Sequence, residues 1–180
     1  LNTTLFEKPI FCLAISPSGR MLAAGTNGVL DGYRPMVHFY RTEDQEEYLE
    51  RRQTSRRSMI HGMCFHPDGH SLYVAGDGND IEQLSIPGEE ERGSDQAATP
   101  ADGSLSAHHG TVLRLETFGS DMRLISFGKD GLLCFWELKS GQLLTKRELA
   151  GRRMYDMAYD PEEHTLLLLI DDQVTSISLD

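Results

Sequence analysis

The chain has 180 residues, of which 39% are hydrophobic and 25% charged, with a formal net charge of −11 and a pI near 5.0. That length suffices for one domain with a real core. The acidic balance disfavours direct binding of nucleic acid or of an anionic membrane, because phosphate contacts need local positive charge. Apolar runs such as Leu166 to Ile170 are far short of a membrane span. No signal peptide is visible, and a start at Leu1 rather than Met is what a fragment or a trimmed chain would show.

In chain order, a ten-residue frame recurs: an apolar residue, two variable ones, an apolar, one variable, an apolar or aromatic, then a turn. It reads IFCLAISPSG at 10–19, IHGMCFHPDG at 60–69, VLRLETFGSD at 112–121 and MYDMAYDPEE at 154–163. The starts lie 50, 52 and 42 residues apart (60−10, 112−60, 154−112); the last is a typical repeat period and the first two exceed it by modest insertions. Pro17, Pro67 and Pro161 share one frame position, where proline ends a strand and opens a turn; the third copy lacks it. A second apolar run follows each frame: Met21 to Ala24, Ser71 to Ala75, Arg123 to Phe127 and Thr165 to Ile170. Hairpin turns come next, from Asn27-Gly28 onward, at Asp77 to Asp80, Lys129 to Gly131 and Asp171-Asp172. Third strands are expected at Met36 to Tyr40, Ile81 to Ile86, Leu132 to Leu138 and Val174 to Leu179. Fourth strands are faint: Gln142 to Leu149 is a fair candidate and Glu47 to Thr54 a poor one. Two insertions interrupt the pattern, the hairpin loop Gly28 to Pro35 and an acidic, Pro/Gly/Ser-rich loop at 87–105 read as mobile surface chain. The pattern resumes beyond it, so the whole of 1–180 reads as one region, with repeats at roughly 7–41, 57–86, 106–138 and 151–180.

The stretch Ser106 to Leu138 is the most informative. Three short strands are expected there, joined through Gly128-Lys129-Asp130-Gly131, and the last holds the only tryptophan, Trp136. This stretch resembles one WD repeat, the unit of a β-propeller blade, which opens near a Gly-His and closes on a Trp-Asp. Here Ala107-His108 and Trp136-Glu137 stand in those places. The resemblance implies an all-β fold: about four four-stranded blades of WD-repeat type, within a larger or partner-completed propeller. It implies that Asp130 accepts from His108, that His108 reaches Ser126, and that Ser126 accepts from the indole of Trp136. Tyr40 and Leu84 fall near the tryptophan position of the first two repeats, where no such set recurs, so apolar packing is expected to hold those blades.

Ser126, His108 and Asp130 are also the residue types of a hydrolase triad. A buried structural brace is the preferred reading, since no sequence feature supplies an exposed nucleophile or an oxyanion site. The serine-hydrolase reading stays as an alternative, as does a nucleic-acid-associated subunit using local basic loops. His61, Cys64, His66 and His70 superficially suggest zinc, but strand alternation turns His61 and Cys64 to opposite faces and His70 lies past the turn, so no metal and no cofactor is expected. Cys12, Cys64 and Cys134 lack regular spacing and read as buried, reduced thiols, which points to cytoplasm or nucleus.

The function implied by the resemblance is a non-catalytic scaffold, a subunit of a multiprotein complex that binds other proteins. Four blades are too few for the usual ring, so dimerisation or completion by another propeller segment is expected. Leu1 to Phe6 could lend an outer strand to the last blade. In this propeller type the loops entering the innermost strands share a rim with the hairpins between second and third strands. Arg56, Arg57, Arg152 and Arg153, with Tyr33 and Arg34, map to that rim as a candidate site for an acidic or phosphorylated peptide. Glu43, Asp44, Glu46, Glu47 and Glu89 to Glu91 map to the other.

Overall fold

The computed structural model of the chain describes residues 9–26, 35–43, 47–53, 59–86, 104–118, 122–149, 151 and 153–179, with the backbone alone for 47–53. The expectations placed on Leu1 to Phe6, on the loop at 28–34 and on the acidic loop up to 103 lie outside these residues. The described residues form four antiparallel sheets and no helix. The first sheet runs β1 (Ile10–Ile15), β2 (Met21–Thr26), β3 (Met36–Arg41), β4 (Glu47–Gln53). The second runs β5 (Ile60–Phe65), β6 (Ser71–Gly76), β7 (Asp80–Ser85), β8 (Leu105–Ser106). The third runs β9 (Val112–Phe118), β10 (Arg123–Gly128), β11 (Leu132–Glu137), β12 (Gln142–Glu148), and the fourth has β13 (Met154–Asp160), β14 (Thr165–Ile170) and β15 (Gln173–Ser178).

Each strand pairs with the next in sequence, so each sheet is a meander whose first strand is innermost. The innermost strands lie side by side, β1 against β5, β5 against β9, β9 against β13. Three apolar cores fill the spaces between successive sheets. Ala23, Val37 and Phe39 meet Ile60, Met63, Phe65 and Leu72 in the first. Cys64, Tyr73 and Ile81 meet Leu115, Leu124 and Trp136 in the second. Phe118, Ile125, Phe127 and Phe135 meet Met154, Met157, Leu166 and Leu168 in the third. The sheets stack as propeller blades do, and they do not close into a ring. Gly62 permits the close approach at the second interface: a Cβ there would sit 3.2 Å from the backbone of Arg114, Leu113 and Leu115 on β9.

The repeated frame has a physical basis in its turns. In Ser16-Pro17-Ser18-Gly19 and His66-Pro67-Asp68-Gly69, the glycine N–H donates to the first residue's carbonyl at 2.8 and 2.9 Å. Proline at the second position fixes its φ, and Gly19 (φ 70°) and Gly69 (φ 78°) take the left-handed conformation that exits the turn. The later repeats turn differently, with Met122 (φ 53°) and His164 (φ 48°) as the left-handed residues.

Register matches the frames. Leu22 pairs with Tyr40, Leu72 with Leu84, Leu124 with Trp136 and Leu166 with Ile177, so Tyr40 and Leu84 do occupy the tryptophan position. One faint expectation is met and two need correction. β4, read as a poor candidate, pairs along β3 as a seven-residue strand. Leu105, read as the end of the acidic loop, and Ser106, read as opening the third repeat, form the outer strand of the second sheet, pairing with Ile81 and Asp80. An outer strand needs only local pairing with its neighbour, which apolar periodicity does not register. Cys12, read as buried, is half-buried, because β1 lies on the end sheet.

Candidate functional site

The end of the third sheet where β10 turns into β11 gathers the four residues singled out above. His108 lies just before β9 and is buried, with its side chain fully covered. Its Nδ1 is 3.1 Å from both carboxylate oxygens of Asp130, and its Nε2 is 2.8 Å from Ser126 Oγ. The indole Nε1 of Trp136 donates to the same Ser126 oxygen at 2.9 Å. Burial holds the His108 ring below its usual pKa, against the opposing pull of Asp130. The neutral ring therefore donates Nδ1–H to Asp130 and accepts the Ser126 hydroxyl at Nε2. Burial alone would raise the Asp130 carboxyl, but the backbone N–H groups of His109 (2.8 Å) and Leu132 (3.1 Å), together with His108, outweigh it and hold the group below the usual range. The side-chain polar atoms of His108, Ser126 and Trp136 and the Asp130 carboxylate are thus each matched to a partner of opposite sense.

Sequence reading missed one member of this arrangement. A Cβ on Gly128 would lie 2.6 Å from both Asp130 Oδ1 and His108 Nδ1, so only glycine leaves room for the pair. Gly131 (φ 77°) completes the hairpin turn. The signal was in the sequence as a glycine on each side of Lys129-Asp130, but a hairpin reading alone explains both.

The arrangement does not suit nucleophilic attack. Ser126 is fully buried, its hydrogen is given to His108, and its oxygen already accepts from Trp136. The equivalent positions of the other sheets, by strand register, are Ala24, Val74 and Leu168, all buried. Among the described residues, no group of three or more His, Cys, Asp or Glu converges as a metal site. His61 instead meets Asp77 at 3.1 Å, and His66 meets Asp68 at 2.8 Å.

Loops preceding the inner strands abut the hairpins between second and third strands. The Asp77 N–H donates to Met59 O, Lys129 N–H to Thr111 O, and Asp171 N–H to Arg153 O. Arg153 is exposed on this rim, and its own N–H donates to Asp171 Oδ1 at 3.1 Å. Tyr33, Arg34, Arg56, Arg57 and Arg152 lie outside the described residues, as do Asp44, Glu46, Glu89 to Glu91 and the side chain of Glu47.

A second polar group, also missed by the sequence reading, sits along the inner strands. Arg114 Nε on β9 donates to Asp156 Oδ1 on β13 at 2.8 Å, and its Nη1 to Leu113 O. Glu116, two residues on, faces a groove of about 620 Å³ along β1, β5 and β9. Burial, then the negative charge of Asp156, raises its carboxyl to a pKa of about 7. Burial and the same Glu116 push the Cys64 thiol well above its normal range. Arg114 and Glu116 alternate with apolar neighbours, and in the sequence read only as the polar positions of a half-buried strand.

Residues 2–31 match the family model for the WD domain, G-beta repeat. The match supports a WD-repeat family, and the four antiparallel sheets are consistent with a WD-type propeller whose sheets are not closed. It falls on the first repeat, whereas the motif residues are most complete in the third. No curated protein matches the chain. WD repeats generally serve as interaction modules that bind other proteins.

Proposed function

We propose that the chain is a non-catalytic scaffold subunit of a multiprotein complex, and that its two end sheets are completed by further blades, from another propeller segment or a second copy. The observation behind this reading is the placement of exposed apolar side chains. On β1, Phe11, Leu13 and Ile15 are 46%, 59% and 64% exposed, while the alternating Cys12 and Ala14 pack against the first core. On the fourth sheet, Tyr155, Leu167, Leu169 and Val174 are exposed, while Leu166, Leu168 and Ile170 fill the third core. Among the described residues these seven account for all the exposed large hydrophobics except Leu144. Both rows continue the stack in the direction of a missing neighbour, and contiguous apolar surface of this kind marks an interaction site. Light scattering on the purified chain tests this: dimers or larger species, or co-purification with another propeller chain, are expected. A compact, soluble monomer that captures no protein from cells would overturn it.

Catalysis by Ser126 is not part of this reading. A fluorophosphonate probe should leave the folded chain unlabelled, and labelling lost on Ser126→Ala would replace the scaffold with an enzyme. The arginine rim is the proposed face for an acidic or phosphorylated partner. Changing Arg56, Arg57, Arg152 and Arg153 to Ala should reduce partner capture without loss of the β-sheet circular dichroism signal. Retention of every partner would remove this face from consideration. Three free thiols accord with the proposed placement in cytoplasm or nucleus.

A further inference from the structure

We propose that the groove along β1, β5 and β9 receives the lysine or arginine side chain of an apolar peptide segment from a protein partner, with Glu116 as its counter-ion. This deepens the scaffold reading and rests on it. The groove opens at the end of the sheets where the Pro17 and Pro67 turns lie, opposite the rim that carries Arg153. Its lining is largely apolar, with Ala14, Met63, Phe65 and Phe118 among its residues. Among the described residues, Glu116 is its only charged lining residue.

A carboxylate in such a place is expensive unless paired. Among the described residues no side chain bonds the Glu116 carboxyl. Among the described residues, three charged or titratable groups bear on it. Asp156 on β13 repels it, the Arg114 guanidinium is engaged by Asp156 and Leu113 O, and the Cys64 thiol on β5 stays protonated. The groove therefore offers an unmet negative site inside apolar walls, on a chain of net charge −11. A lysine or arginine suits it on both counts, since its methylene stem covers apolar surface while its head meets the carboxylate. One carboxylate does not make a divalent-cation site, which takes several oxygen ligands. A polyanion such as nucleic acid is repelled.

The pairing carries a proton. With a carboxyl pKa of about 7 in the free groove, cation binding favours the ionised form. Affinity then rises about ten-fold between pH 6 and pH 8 and levels off above, while lysine keeps its charge throughout.

The probes are fluorescein-labelled pentapeptides with a central lysine flanked by two leucines on each side, and matched peptides with norleucine or glutamate at the centre. Fluorescence polarisation with the full chain should show the lysine peptide binding at least ten-fold more tightly than either control. Glu116→Gln should abolish that preference while keeping the wild-type circular dichroism signal, and a change at the exposed Lys139, Lys139→Ala, should leave it unchanged. Equal binding of the norleucine peptide, undiminished binding by Glu116→Gln, or no binding of any peptide would overturn the proposal. Displacement of the peptide by an equal concentration of n-butylamine would also overturn it, by making the site one for small amines. Partner purification separates this from failure of the scaffold reading. Partners retained equally by wild type and Glu116→Gln leave the scaffold standing without this groove, whereas a wild-type chain that captures nothing removes both.

Discussion

Asp130 shows how much one side chain can organise here. It accepts from a ring N–H and from two backbone N–H groups, so His108→Ala and Asp130→Ala each strand buried polar atoms and should cost about 1–3 kcal/mol in urea unfolding. Trp136→Ala also opens a cavity and should cost roughly 3–5 kcal/mol. Wild-type stability in all three would show that the network carries no load. Gly128→Ala should cost about 1–3 kcal/mol, because the added carbon overlaps the Asp130–His108 contact. Two titrations work in opposite directions. The folded pKa of His108 lies below its unfolded value, so the unfolded chain binds the proton first and stability falls as pH drops through 6.5. The folded pKa of Glu116, about 7, lies above the ordinary value of 4.5, so the folded state holds the proton longer and stability falls as pH rises between the two. Glu116→Gln should therefore stabilise by on the order of 2 kcal/mol at pH 8 and by almost nothing at pH 4. Melting curves at the two pH values check this; an equal effect at both would place Glu116 in water. Of these residues, the resemblance to a known repeat singled out His108, Ser126, Asp130 and Trp136. Glu116 and Arg114 were not singled out, because alternation along β9 gives a charged residue facing a groove the same signature as one facing solvent.

At the level of elements, strands were legible wherever burial is two-sided or alternating. The inner and middle strands carry apolar residues at fixed steps, and the proline turns set their register. Outer strands were hard to see for the opposite reason. β12, QLLTKRE, is largely exposed, and β8 is two residues long, so neither concentrates apolar residues. The hairpin between β13 and β14 offers a test of backbone chemistry. Asp160 Oδ1 accepts from the N–H groups of Glu162 and Glu163 to form the turn, and exposed His164 leaves it at φ 48°. A residue with a Cβ is strained there by about 1–2 kcal/mol, against roughly 0.5–1 kcal/mol of extra unfolded-state freedom for glycine. His164→Gly should then raise stability by about 0.5–1 kcal/mol in thermal or urea unfolding, and a loss of stability would mean that its contact with Tyr159 outweighs the strain.

Over the whole molecule, three apolar interfaces hold four sheets in an arc, and the two ends leave apolar rows uncovered. Leu13→Asp and Val174→Asp should leave the fold intact, since both side chains are exposed, while shifting the chain toward monomer in light scattering. Unchanged association would show that the end faces are not the contact. The short strand β8 has a consequence of another kind. Leu105 is hydrogen-bonded into the second sheet, and three residues later His108 is locked into the third. The chain crosses from one sheet to the next with no slack between two anchored points. Neither sheet can shed its edge without pulling on the other, so the middle of the arc should open as one unit. In native-state hydrogen exchange, the amides of β7 and β10 should share a single opening free energy and respond together to Asp130→Ala, while those of β15 exchange through local fraying.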